Sequence, residues 1–156
     1  MELDVIDKKL IQLLQENSKR TNKELAHKID LSVTAVYERI KRLERTGVIE
    51  KYVAIVDAGL INKPFMVFCQ IKLIQHTKSF LTKFEAEVVQ LDEVSECYHT
   101  TGDYDYLLKI FVKDMEAYRE FMVNKLTTLR HIGSTQSAFT ISEVKNQTAV
   151  SLDETI

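Results

Sequence analysis

The sequence predicts an α+β fold. A small all-helical part precedes a four-stranded sheet with helices on one face. Three observations carry this. Residues 21–47 read as two short helices joined by a tight turn, the second of them basic on its outer face. Residues 65–144 alternate strand-like and helix-like patterns in the order β-α-β-β-α-β, the split βαβ, ferredoxin-like arrangement. Lys and Arg outnumber Asp and Glu by 11 to 9 in residues 1–56, whereas residues 57–156 carry 10 against 14. The positive charge is therefore local rather than global, although the net charge is −2.

The first helix starts at Asp4, a good N-cap, and Ile6, Leu10, Leu13 and Leu14 give it an apolar face up to about Asn17. Thr21 and Glu24 form a T-x-x-E capping box for the second helix, in which Leu25 and Ala26 face inward. Ile29-Asp30-Leu31 leaves that helix, and Asp30 can satisfy the backbone of the turn. Ser32 caps the third helix, where Val36, Ile40 and Leu43 recur at helical spacing as one buried stripe. The opposite face carries Thr34, Tyr37, Glu38, Lys41, Arg42 and Arg45, and Gly47 stands where a helix C-terminal glycine belongs. A rod of this kind fits the major groove of double-stranded DNA, with Lys41, Arg42 and Arg45 split between phosphate and base-edge contacts, Thr34 and Tyr37 close to bases, and Ser32 and Glu38 also at the interface. The same spacing also fits a plain three-helix bundle with a solvated face. The short turn, the well-placed caps and the grouping of Lys41, Arg42 and Arg45 with Thr34 and Tyr37 favour DNA.

Val53–Val56 is β-prone, and residues 57–64 hold Gly59, Asn62 and the chain's one proline, so residues 51–63 read as a strand and linker between domains at 1–50 and 64–147. Downstream, Phe65–Ile74 reads as a strand, Lys78–Leu91 as a helix and Val94–Thr101 as a strand ending at Gly102-Asp103. Tyr106–Lys113 is the next strand, Met115–Leu129 a helix, and Ser134–Val144 the last strand. Residues 148–156 form a polar, loose tail. A sheet with both helices on one face leaves the other bare, and this chain offers nothing else to cover it. A two-fold homodimer is the simple solution, and it also suits two recognition helices reading two half-sites.

Composition sets limits on function. No apolar run reaches the roughly 20 residues that span a bilayer. The N-terminal MELDVIDKK is acidic where a secretion signal is basic, so a cytoplasmic protein without a membrane partner is expected. Cys69 and Cys97 lie far apart in apolar runs and read as two buried thiols rather than a disulfide or metal pair. The four histidines are scattered, with no zinc spacing, phosphate loop or nucleophile elbow, so no catalytic residue, metal or cofactor is assigned. An enzyme on the ferredoxin-like half stays the weaker alternative, and His99, close to the Gly102–Asp105 turn, is the residue it would use.

In wording as well as order, LDVIDKKLIQLLQEN, NKELAHKIDLSVTAVYERIKRLERTGVIEKYVAIVD, TGDYDYLLKI and STQSAFTISEVK resemble the Lrp/AsnC family of transcriptional regulators. The resemblance runs from about residue 3 to 147. It implies an amino-acid-responsive regulator whose dimers assemble further, into an octamer of four dimers, and which bends or wraps DNA. It also implies an effector site between dimers, at Gly102, Asp103, Tyr104 and Asp105 with Thr135, Gln136 and Ser137. Gly102 would let a backbone N–H approach a carboxylate, and Asp103 or Asp105 would meet an α-ammonium. The same four residues also read as a tight turn that uses Gly and Asp for conformational reasons. Val33-Thr34-Ala35 departs from the proline found in many relatives near that position, so base preference is not carried over. A DNA-binding architectural protein whose second domain only oligomerises is the remaining alternative.

Overall fold

Asp4 opens helix α1 (Val5–Glu16) by accepting from the Asp7 backbone N–H at 2.7 Å, while the Asp7 carboxylate accepts from Asp4 N–H at 3.3 Å. Thr21 and Glu24 make the same reciprocal cap on α2 (Asn22–Ile29), and Asp30 ends that helix in the left-handed region at φ 56°. Ser32 accepts from Ala35 N–H at 3.1 Å and starts α3 (Val33–Arg45). Leu10, Leu14, Leu25, Ala26, Val36 and Ile40 of the three helices bury one another in a single core. This computed structural model describes residues 2–152. The helices belong to one of two units, formed by the described residues of 1–54 and 145–156; residues 55–144 form the other.

The second unit is a four-stranded antiparallel sheet built from β1 (Phe65–Leu73), β2 (Val94–His99), β3 (Tyr106–Val112) and β4 (Ile132–Phe139) in the order β2-β3-β1-β4. Helices α4 (Lys78–Val88) and α5 (Met115–Asn124) complete the ferredoxin-like order read from the sequence. Alternation decides the two faces. Val67, Cys69, Ile71 and Leu73 of β1 and Tyr106, Leu108, Ile110 and Val112 of β3 pack with Phe84 and Val88 of α4 and Tyr118 and Phe121 of α5. Met66 and Phe68 of β1 and Leu107 and Phe111 of β3 point to the other face, half-buried, with no helix of this unit over them.

Several boundaries differ from the sequence reading. No strand forms at 53–56: Val53, Ile55 and Val56 are exposed and lack a ladder partner, and β propensity alone makes no strand. The last strand starts at Ile132 and stops at Phe139, not Val144, because its partner β1 starts only after Pro64. Its register slips between Lys72 and Leu73, where a side chain on Gly133 would meet the Lys72 carbonyl at 3.3 Å. Helix α4 ends at Val88 and α5 at Asn124, after which Leu126–Thr128 makes a 3-10 turn with Leu126 in the core. The expected loose tail is held at one point, where Gln15 Nε2 donates to the Val150 carbonyl at 3.0 Å and Val150 N–H donates back at 2.7 Å. The rest of the tail expectation, 153–156, lies outside the described residues. Cys69 is buried, and Cys97 is half-buried with its thiol pushed up to about 11 by burial.

The helical core rests on few residues, and Leu25 is wholly inside it. Leu25→Ala is expected to lower the stability of the helical unit by about 2–5 kcal/mol, read by denaturant unfolding followed through helical circular dichroism.

Candidate functional site

Helix α3 offers a sorted surface. Val36, Ile40 and Leu43 are buried, while Thr34, Tyr37, Glu38, Lys41 and Arg45 are exposed, as is the cap Ser32. Lys41 Nζ sits 2.7 Å from Glu44 and 5.9 Å from the centre of the Tyr37 ring, and the Glu44 hydrogen bond raises its pKa. Such a solvent-screened pair contributes little to stability and exchanges readily for another anion. The Arg45 side chain has no hydrogen bond or ion pair with another described residue. The arrangement can present two mobile cations, a phenol and a hydroxyl to a polyanion.

Arg42 departs from the expectation that it shares this outer face. Its Nη2 lies 2.6 Å from both oxygens of Asp7, so the side chain turns back toward α1. Arg39, which the sequence did not single out, joins it: Nη1 bonds Asp4 at 2.6 Å and Asp7 at 2.8 Å. Asp7 is 1% exposed and is the buried charged group of the described chain. The reason is packing. Arg39 and Arg42 are three residues apart on α3, as are Asp4 and Asp7 on α1, so two pairs of side chains mesh across the helix contact. Breaking a fully buried pair costs about 3–5 kcal/mol, an upper bound here because both guanidiniums keep some water. The Arg39 hydrogen bond, helped by the Asp7 backbone, holds the Asp4 carboxyl below its ordinary 3.8, and Asp4 with Asp7 raises Arg39 in return.

The Gly102–Asp105 turn joins β2 to β3. Gly102 adopts φ 116°, which favours glycine, and space is open above it. Asp105 is a structural residue. Its N–H donates to the Ile71 carbonyl at 2.8 Å, one carboxylate oxygen accepts from Leu73 N–H at 2.7 Å, and the other lies 2.7 Å from His76 Nε2. It thereby extends the β1 ladder, with both carboxylate oxygens engaged by neighbours in the sheet unit. Asp103 is exposed and has no partner among the described residues. The Tyr104 hydroxyl donates to Gln136 Oε1 at 2.7 Å.

Thr135 and Ser137 pair opposite Ile71 and Cys69 and share their helix-covered face, and the Ser137 hydroxyl is 2.6 Å from that of Tyr118. Gln136 lies on the opposite face. The seven residues expected at the effector site thus divide into an accessible set (Gly102, Asp103, Tyr104, Gln136) and a set that builds the sheet (Asp105, Thr135, Ser137). His76 is the neighbour that sequence reading missed. His99 stacks on Tyr106 at 4.7 Å. Among the described residues, no three His, Cys, Asp or Glu side chains are grouped to hold a metal ion. A separate cavity of about 340 Å³, lined by Lys63, Glu93, Phe111, Glu120 and Lys125 among others, lies by the far end of β3.

Residues 66–150 match the model of the Lrp/AsnC ligand binding domain, and residues 3–50 match a winged helix-turn-helix DNA-binding model. The chain is 38% identical over 143 residues to the leucine-responsive regulatory protein of Haemophilus influenzae, across 92% of this chain and 86% of that one. It is 34% identical over 148 residues to the Bkd operon transcriptional regulator of Pseudomonas aeruginosa, across 95% and 97%. Among solved structures, a transcriptional regulator of Neisseria meningitidis in complex with L-Met is similar at TM-score 0.93 and 33% identity, covering 97% of this chain and 98% of that one. An AsnC family transcriptional regulator of Agrobacterium tumefaciens is similar at TM-score 0.92 and 35% identity, covering 98% and 99%.

A depressed carboxyl stabilises the folded form above its ordinary pKa, and the contribution is lost as pH falls through the lowered folded value. Asp4 therefore supports the helical unit at every pH above 3.8 and ceases to do so below its depressed value. Acid titration followed by circular dichroism is expected to show a shallower loss of stability below 3.8 in Asp4→Asn than in the unmodified chain.

Proposed function

The chain belongs to the Lrp/AsnC family of transcriptional regulators, which are not enzymes, and from that premise we propose that it binds DNA sequence-specifically in response to an amino acid held between dimers. The observation that carries the DNA part is the outer face of α3, where Thr34, Tyr37, Glu38, Lys41 and Arg45 stand clear behind the Ser32 cap. Lys41 and Arg45 meet phosphates or base edges, Thr34 and Tyr37 lie close to bases, and Arg42 acts from behind by keeping α3 in place.

The bare face of the sheet supports a homodimer. Met66, Phe68, Leu107 and Phe111 form an apolar strip across its two central strands, and a second copy of the same face covers it by two-fold symmetry. Two recognition helices then read half-sites about 34–36 Å apart. Four such dimers form the octamer that the family resemblance implies. A regulator working on DNA, with both cysteines as free thiols, fits the cytoplasm.

The effector part rests on the accessible half of the hairpin. A backbone N–H at Gly102 receives the ligand carboxylate, Asp103 pairs with its ammonium, and Tyr104 with Gln136 closes one side. Asp105, Thr135 and Ser137 hold the hairpin and strand in register, and the ligand's side chain meets a neighbouring dimer. The L-Met complex of the Neisseria regulator supports an amino acid as the ligand class. The ligand acts through unequal affinity for two assemblies, shifting the octamer–dimer balance and with it the spacing of the recognition helices.

Thermal unfolding against each common amino acid tests the effector. A ligand at a hundredfold excess over Kd stabilises by about 2.7 kcal/mol and raises the midpoint by about 2–8 °C. One amino acid is expected to give this shift, Asp103→Ala to abolish it without moving the ligand-free midpoint, and Asp105→Ala to lower that midpoint by breaking the Leu73 contact. No shift with any amino acid would contradict the effector and leave an architectural DNA-binding protein. For DNA, Lys41→Ala or Arg45→Ala is expected to flatten the salt dependence of affinity by about 0.9 per lost phosphate contact. An unchanged slope would remove that residue from the interface.

A further inference from the structure

Half of the positive charge on α3 is withheld from its outer face. The helix carries four cations, Arg39, Lys41, Arg42 and Arg45, and the first and third end on α1. Asp7 receives Arg39 Nη1 at 2.8 Å and Arg42 Nη2 at 2.6 Å on one oxygen, and Arg42 Nη2 at 2.6 Å and the Asp4 N–H at 3.3 Å on the other. Four contacts fill the roughly four acceptor positions of an ionised carboxylate. Asp4 takes a further bond from Arg39 at 2.6 Å. The result is a ladder, Asp4–Arg39–Asp7–Arg42, with two rungs on each helix.

This ladder has two consequences for DNA. First, two-point attachment resists rotation of α3 about its own axis. A slip of one residue would turn a helix by about 100°, replacing the outward set Thr34, Tyr37, Glu38, Lys41 and Arg45 by another. Second, a free guanidinium is a strong, sequence-blind phosphate ligand. Phosphate contacts supply nonspecific affinity and carry no sequence information of their own.

We infer that Asp7 is a specificity-determining positioning residue: it fixes the rotation of α3 and keeps Arg39 and Arg42 off the phosphate backbone. It does not touch DNA. The inference rests on the reading of the α3 outer face as the DNA-contacting surface.

The test uses the full chain and two duplexes of equal length, one selected from random sequence for tight binding and one with the same composition scrambled. Both are titrated over a range of salt. Asp7→Asn, which keeps the side-chain size and removes the charge, is expected to bind the scrambled duplex more tightly. The ratio of the two affinities should fall at least tenfold. The slope of log K against log salt should steepen by about 0.9 for each guanidinium that reaches a phosphate. Adding Arg39→Gln and Arg42→Gln to Asp7→Asn should return the slope to that of the unmodified chain. If Asp7 merely holds α1 and α3 together, both affinities fall in parallel with the folded fraction and the slope does not change, which overturns the inference. Should Asp7→Asn not fold, Arg42→Gln in the otherwise unmodified chain decides. An unchanged slope shows Arg42 held off the phosphates and supports the inference, and a slope flatter by about 0.9 overturns it. An unmodified chain that binds neither duplex defeats the DNA-binding reading itself, a different result from normal binding with an indifferent Asp7→Asn.

Discussion

A carboxylate shut away from water must have hydrogen-bond donors brought to it, and in this chain most of them come from another helix. Asp7, at 1% exposure, is met by Arg39 and Arg42 and capped by the backbone of Asp4. The apolar contacts of Leu10, Leu14, Val36 and Ile40 bring α1 and α3 together but are tolerant of small rotations, as hydrophobic contact is non-directional. Charge-assisted hydrogen bonds are directional. They select one rotation of α3, and everything proposed for its outer face depends on that rotation. The arrangement also commits two of the four cations of α3 to holding the helix pair together.

The sheet unit meets a different constraint. Its strands alternate, so every residue on the helix-covered face has neighbours on the other face that no helix of this unit covers. Met66, Phe68, Leu107 and Phe111 follow from that alternation as much as Val67, Leu108 and Ile110 do. The hairpin before β3 obeys the same logic at the end of the ladder. Asp105 substitutes a carboxylate for the next strand residue and satisfies Leu73 N–H, which would otherwise lack a partner. The neighbouring Asp103 has no side-chain partner among the described residues, so two aspartates in one turn have different surroundings.

Local features were legible in the sequence, and features made across distance were not. The caps at Asp4, Thr21–Glu24 and Ser32 act over three residues and were read correctly, as were the Val36, Ile40, Leu43 stripe and the order of the ferredoxin-like elements. Arg42 looked like an outer-face residue because helical spacing places it near Lys41 and Arg45. Its partner lies 35 residues away, and only the packing of α1 on α3 shows the pairing. Arg39 was invisible for the same reason. The limits of β4 depend on where β1 begins, and the β-prone 53–56 segment lacks a partner altogether. At the hairpin, period-two alternation already implied that Gln136 faces away from Thr135 and Ser137, whereas the His76–Asp105 contact had no sequence signal.

A crystal structure of the protein on a selected duplex tests the account most directly, through the distance from Arg42 Nη2 to the Asp7 carboxylate. Arg39 and Arg42 are expected to stay within hydrogen-bond distance of Asp7 while Lys41 and Arg45 turn to the DNA. Either guanidinium leaving Asp7 for a phosphate or a base edge would contradict it.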